Sequence, residues 1–391
     1  MKSFLQFLKR AYKYFRATKR VWRKPPQADL LIIDRGTASP LDEMFAHHQP
    51  HIMDIRGESV NMLALLRAVP KIHLGAVAYL EAYIDFVKPK LILSRTDNNH
   101  TLWQLKRRPN ATYKVALIQN GWRTKYERST PVEVTSLNSA NNYADSYFVF
   151  GSNTVELMKN RVVVKFEKIG NIILNNFDFG RKIKNKQLSR EDLNEVALIS
   201  TFRSKEKILN DVQYGVYRSL DEFLSKKDYK LKIIGNSIGD VEKKLEKEFF
   251  SSAFKQTNFD LGFFRDGRGS YRHLETNRWI VSGHSTLGYE TLVTGVPVGF
   301  VLPASSVFDN RDFDSSSGLG SAGKFWCRSD DVSEHEQIYS YLDTVSDEQW
   351  ERDSGWIRDQ LMVHDYGNTK IRAYVESVLA DSLENAKVTN I

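Results

Sequence analysis

The stretch Trp279-Ile-Val-Ser-Gly-His-Ser-Thr-Leu-Gly-Tyr-Glu290 runs from bulky and β-branched side chains through Ser282, Gly283 and His284 into helix-forming residues. It reads as a buried strand that ends in a tight turn and continues directly as a helix, the junction from which α/β domains are built. Such a junction suits an anion, because the first N–H groups of the helix are unspent and the helix dipole favours negative charge there. Ser285 and Thr286 would add hydroxyl donors, and Gly288 would let a ligand or the sheet approach the helix closely. Glu290, further into the helix, would accept hydrogen bonds from ribose hydroxyls, and His284 stands at the same edge. The competing reading makes Ser285 or Thr286 a plain helix cap and Glu290 one half of a capping box.

Outward from this junction the chain alternates apolar strand-like runs with longer helical stretches, the order expected of parallel sheets with helical crossovers. Before residue 180 the strand candidates are 29–34, 51–55, 90–94, 113–119 and 146–150, with helices over 60–68, 75–87 and 102–107. After residue 190 the strands are 196–200, 230–234, 278–282 and 297–301, with helices over 212–224, 240–250, 288–294 and 334–342. Residues 181–194 are polar and nearly free of large apolar side chains, which marks an interdomain linker or an exposed loop. The 391 residues suit two domains of roughly 100–200 residues each. The expectation is an α/β chain of two Rossmann-like domains, 27–180 and 190–362, facing a cleft, with a C-terminal helix and tail over 363–391. Ligands of such sheets bind beyond the carboxyl ends of the strands. Asn236, just after the 230–234 strand, is one candidate there, with a β-turn as the alternative.

A composition of 41% hydrophobic and 27% charged residues belongs to an ordinary globular protein and excludes a disordered one. Cys327 is the single cysteine, which excludes an intrachain disulfide and a thiolate metal cluster and fits a reducing cytoplasm. The sequence contains no apolar run of about 18 residues that could cross a bilayer. Of the net charge of +8, residues 1–24 supply nine Lys or Arg and no acid, so the rest of the chain is close to neutral. Phe4, Leu8, Ala11, Phe15 and Trp22 recur at spacings of three, four or seven, beside Leu5 and Tyr12, while Lys9, Arg10, Lys13, Arg16, Arg20 and Lys24 fill other positions. This pattern predicts a basic amphipathic helix over 1–26, stopped by Pro25-Pro26. Its partner is expected to be the anionic inner face of the cell membrane, which makes the protein cytoplasmic and peripheral. Packing on the protein's own surface is the alternative, and a nucleic-acid partner is not expected.

Ser282-Gly-His-Ser-Thr-Leu-Gly-Tyr-Glu290 with Gly295-Val-Pro297, and more loosely Gln119-Asn-Gly-Trp-Arg123 and Ser200-Thr-Phe-Arg203, resembles the GT-B glycosyltransferases of bacterial surface-carbohydrate biosynthesis, those of lipopolysaccharide, capsule and Kdo transfer among them. The resemblance covers most of residues 28–375. It implies transfer of a sugar from a nucleotide-sugar donor, CMP-Kdo being one option, to a surface polysaccharide or lipid-linked glycan. It also implies that Ser285, Thr286 and Glu290 hold the donor's phosphate and ribose, joined by His284, Asn236 and the basic residues Arg203 and Lys205. The nucleotide-sugar is then a substrate, and neither a cofactor nor a metal is expected. Polymer glycerophosphotransferases of this fold carry a His-Gly pair where this chain has Asn120-Gly121, and asparagine cannot act as a general base. A sugar transferase is therefore favoured over a CDP-glycerol-type polyol-phosphate transferase, and a non-catalytic nucleotide-binding scaffold is the third reading. Asn120 and Arg123 would position the acceptor, although Gly121 also fits a simple turn.

Glycosyl transfer needs a carboxylate to deprotonate an acceptor hydroxyl or to attack the anomeric carbon. Asp97, in Arg95-Thr-Asp-Asn-Asn-His100, and Glu58, in Arg56-Gly-Glu58, follow first-domain strands and are the candidates, with Arg56 on the acceptor side. An Asx turn and a local ion pair are the structural alternatives. His47, His48 and His51 look like metal ligands, but no carboxylate stands at ligand spacing and no HExxH occurs, so they read as solvated loop histidines. Residues 308–324 read as a loop near the cleft that could act as a lid. No complete P-loop consensus is present.

Overall fold

The computed structural model describes residues 18–105, 111–122, 142–178, 193–205, 207–264, 269–274, 276–283, 285–304 and 322–388. Its first lobe contains β1 (Lys19–Val21), β2 (Leu30–Ile33), β3 (His51–Met53), β4 (Ser59–Asn61), β5 (Leu91–Ser94), β6 (Lys114–Ile118), β7 (Tyr143–Val149) and β8 (Val163–Lys168). Six of these form a parallel sheet in the order β3-β2-β5-β6-β7-β8. The runs Leu-Leu-Ile-Ile of β2 and Leu-Ile-Leu-Ser of β5 are buried along their whole length, because parallel strands are covered on both faces. One face packs under the Ala76–Val87 helix with Leu102 and Trp103. The other is covered by the last helix, Thr369–Val388, whose Ile371, Val375 and Leu379 meet Leu30, Ile32, Leu91, Leu93 and Ile118.

The second lobe contains β9 (Glu195–Ile199), β10 (Lys230–Ile234), β11 (Phe259–Gly262), β12 (Ile280–Ser282), β13 (Val298–Leu302), β14 (Ala322–Gly323) and β15 (Trp326–Arg328). They are ordered β11-β10-β9-β12-β13-β15-β14, with only β14 antiparallel to its neighbour. Numbered from β9 without the short β14, this is the 3-2-1-4-5-6 order of a Rossmann sheet, with its switch point between β9 and β12. In the first lobe the corresponding reversal falls between β2 and β5.

Two expectations need correction or restriction. Residues 1–17 lie outside the described residues, and the helix does not extend over the rest of 1–26: Lys19–Val21 is a strand, paired in parallel with β4. The pairing hydrogen-bonds backbone groups of β1, and Asn61 Nδ2 ties the following turn by donating to Arg23 O at 2.7 Å. Most of the linker at 181–194 and of the loop at 308–324 is also outside the described residues; of the latter, only its end is seen, in β14.

The lobes are joined by backbone contact as well as by the chain. After the Asp347–Leu361 helix, Val363 N donates to Phe150 O at 2.9 Å. Gly151 and Gly170 make the close approach possible: a Cβ on Gly151 would lie 2.4 Å from Gln360 O, and one on Gly170 1.9 Å from Val363 O. Gly170 also has φ +71°, where any L side chain is strained. Gly170→Ala is expected to lower stability in urea unfolding by about 2–4 kcal/mol; an unchanged midpoint would show that the contact is not close in solution.

Candidate functional site between the lobes

The strand ends of the two sheets meet. Trp122, beyond β6, donates its backbone N–H to Thr286 Oγ1 at 3.3 Å, and its indole stacks on Tyr289 with centroids 4.2 Å apart and planes 9° from parallel. The Thr286–Thr291 helix begins here, with Ser285 as its extended N-cap residue, whose side chain makes no capping bond. The helix has only six residues, so any anion it attracts would be held by the N–H groups of its first turn more than by a long dipole. Gly288 serves the sheet: a Cβ there would lie 2.1 Å from Ser282 Oγ.

Glu290 takes a different place from the one expected of a ribose ligand or capping box. It is 4% exposed, its Oε1 accepts from Asn171 Nδ2 beyond β8, and its Oε2 accepts from the Tyr271 hydroxyl at 2.9 Å. It is therefore a link between the lobes. Burial pushes its pKa up, against the hydrogen bonds from Tyr271 and Asn171 and the charge of Arg95. Tyr271 is pushed well up by burial, with the neighbouring Glu290 charge adding to it.

Arg95 completes this cluster from the first lobe, and the sequence reading passed over it in favour of its neighbour Asp97. It is 8% exposed; NH1 donates to Ser39 O at 2.5 Å, but Nε is buried without a hydrogen-bond partner among the described residues. Burial lowers its pKa, partly offset by Tyr271, Glu290 and Asp97. The second lobe has a counterpart at its own switch point. Gln213 receives bonds from Thr201 and Tyr217 on its oxygen, while its buried Nε2 has no partner among the described residues and lies 3.6 Å from where a Cβ of Gly283 would be.

The remaining candidates divide into groups that hold the loops and groups that face outward. Asp97 is 3% exposed, with Oδ2 accepting from the Tyr147 hydroxyl at 2.6 Å and Oδ1 from Asn120 N at 3.3 Å. Its carboxylate fixes the loops after β5 and β6 and is not open to a substrate in this arrangement. Asn236 is similarly occupied, since Nδ2 donates to Phe202 O at 3.1 Å and its backbone N donates to Glu246. Fully buried Glu246 also collects Ser200 Oγ and Ser237 N, and so binds the ends of β9 and β10 together. Arg56 is held by buried Asp34 through NH2 at 2.6 Å and Nε at 2.8 Å; the hydrogen bond raises its pKa. Burial alone would raise the pKa of Asp34, but Arg56, Thr96 and Gly36 bring it below the ordinary value. Glu58 is exposed and accepts from Arg56 N at 3.0 Å. Arg203 and Lys205 are exposed just beyond β9. Asn120 is half-buried, and Arg123 and His284 lie outside the described residues.

Two Rossmann-like lobes with facing strand ends, closed by a last helix that returns to the first lobe, define a GT-B fold. The chain belongs to the family described as "putative O-antigen biosynthesis protein", whose model matches residues 116–379. No curated protein matches it in sequence. Among solved structures, the UDP-GlcNAc 2-epimerase of Neisseria meningitidis bound to UDP-GlcNAc is similar, with TM-score 0.53 and 13% identity over 90% of this chain and 99% of that one. MurG of Acinetobacter baumannii gives TM-score 0.52 and 11% identity over 90% and 100%. The wall teichoic acid polymerase TagF gives TM-score 0.50 and 10% identity over 92% and 91%. At these identities the likeness is one of fold.

Because the folded state raises the pKa of Glu290, it holds that proton more tightly than the unfolded chain does. The contribution of this group to stability is therefore greatest at low pH and falls as pH rises from the ordinary value of 4.5 through the raised one. Urea unfolding across that window is expected to show this slope in the wild type and to lose it in Glu290→Gln. An identical slope in both would place the titration elsewhere.

Proposed function

We propose that the chain is a glycosyltransferase that moves a sugar from a nucleotide-sugar donor to an O-antigen or related lipid-linked surface glycan. The observation that carries this reading is that two of the buried donors without partners among the described residues, Arg95 Nε and Gln213 Nε2, lie one at the switch point of each lobe. Such a group costs about 1–3 kcal/mol when left unsatisfied, and a phosphate- and hydroxyl-rich ligand lying between the lobes would supply the missing acceptors. Membership of an O-antigen biosynthesis family supports the glycan as the product.

In this reading the donor lies on the second lobe against Ser285, Thr286, Arg203 and Lys205, and the acceptor enters over Arg56 and Asn120. The acceptor hydroxyl forms a bond to the anomeric carbon as the bond from that carbon to the donor phosphate breaks. Glu58 takes the hydroxyl proton, being the candidate carboxylate that is exposed, while Asp97 holds the surrounding loops. Arg95 and Arg203 offset the charge growing on the departing phosphate. CMP-Kdo is one donor to test beside UDP-, GDP- and CDP-linked sugars. Transfer to a lipid-linked glycan is expected with one of these, and Glu58→Gln should lower it by roughly 10²–10⁴-fold. Arg95→Gln should lower kcat/KM by about 10²-fold or more. Epimerisation of the donor without transfer, or use of CDP-glycerol in place of a sugar nucleotide, would overturn the proposal.

The basic segment 1–24 supports work at the inner face of a membrane, with Trp22 62% exposed at its end. Among the described residues, no helix is long and apolar enough to cross a bilayer. Deleting residues 1–17 leaves β1 in place and is expected to abolish pelleting with vesicles of anionic lipid; undiminished pelleting would remove the membrane from this reading.

A further inference from the structure

His47 and His48 have no carboxylate beside them in the sequence, but the fold brings one from 328 positions away. His47 Nε2 lies 3.0 Å and His48 Nε2 2.9 Å from the same oxygen, Oε1 of Glu376, on the last helix. The two imidazole centroids are 4.1 Å apart, and one ligand atom from each residue falls within 4.8 Å of the others. His51 takes no part, because its Nε2 pairs with the Tyr83 hydroxyl at 2.8 Å.

We propose that His47, His48 and Glu376 form a zinc site that staples the last helix to the first lobe. Zinc bonds to histidine nitrogen and carboxylate oxygen are about 2.0–2.2 Å long, so the ligand atoms of a tetrahedral site stand roughly 3.3 Å apart. The two N···O separations already come close to edges of such a tetrahedron. Two imidazoles with one carboxylate select a borderline ion such as zinc, whereas magnesium and calcium take oxygen ligands. Three protein ligands leave the fourth position to water. Each histidine would bind as the neutral ring, with its proton on Nδ1 and the Nε2 lone pair on the metal. His47 and Glu376 are exposed and His48 is half-buried, so an ion can reach all three. One helical turn away, Arg372 NH1 donates to Met44 O at 3.2 Å, and this fixes the helix in register with the 44–48 segment before any ion arrives. The site lies apart from the residues assigned to sugar transfer and stands without that assignment.

The test is zinc titration of the full chain, free of any affinity tag, by calorimetry and thermal unfolding. One ion per chain is expected, with Kd of about 10 µM or tighter. A rise in melting temperature should be reversed by EDTA and absent with magnesium. Cobalt in place of zinc should give the visible absorption of a tetrahedral site. His48→Ala and Glu376→Gln should each weaken binding at least tenfold; the glutamine keeps a hydrogen-bond acceptor, so the helix contact survives as a control for folding. Binding weaker than about 10 µM, or titrations unchanged by both substitutions, would overturn the proposal and leave an ordinary histidine–carboxylate pair.

Discussion

The buried carboxylate of Glu290, shared between Asn171 of the first lobe and Tyr271 of the second, is the contact on which the arrangement of the cleft depends. A carboxylate withdrawn from water is costly unless its oxygens are bonded. Here both are, and the buried cation Arg95 stands near. The partners come from opposite lobes, so the group is satisfied only when the lobes face each other. The stacking of Trp122 on Tyr289 and the bond from Trp122 N to Thr286 follow from the same seam. Close backbone packing at Gly151 and Gly170 brings residues 360–363 against the first lobe.

This seam also explains how the site's polar groups are divided. Asp34, Asp97 and Glu246 are acids buried at strand ends, and each is occupied with loop amides, hydroxyls or a guanidinium. They keep the loops of each lobe in place. Glu58, Arg203 and Lys205, by contrast, are exposed. Between the two classes stand Arg95 and Gln213, each with one buried donor that has no partner among the described residues.

The parts of the fold that were legible in the sequence are those set by local pattern. Continuous apolar runs identified β2, β5, β6, β9 and β13, and the strand–turn–helix reading of 279–290 placed β12 and the Thr286–Thr291 helix. Strand β8 was missed: Val-Val-Lys-Phe-Glu-Lys is half-exposed at a sheet edge and lacks a buried apolar run. The error at β1 arose because cations at helical spacing dominate 1–24, whereas the parallel partner at Ser59–Asn61 is distant in sequence. Of the site, the strand-end rule found the right loops but not the role of each residue. Asp97 and Asn236 carry polar groups that would suit a ligand, yet partners such as Tyr147 and Glu246, 50 and 10 positions away, claim them first. Arg95 could have been found by applying the same rule one residue after the end of β5.

The return of the last helix to the first sheet has a consequence for synthesis on the ribosome. Leu30, Ile32, Leu91, Leu93 and Ile118 form an apolar face that Ile371, Val375 and Leu379 come to cover beside Leu41, Met44 and Phe45. Ile371, Val375 and Leu379 are made some 250 residues after β6, so part of this greasy side stays bare while the second lobe is translated. Nascent chains of this protein therefore present a sticky surface to holdase chaperones until the Thr369–Val388 helix is made.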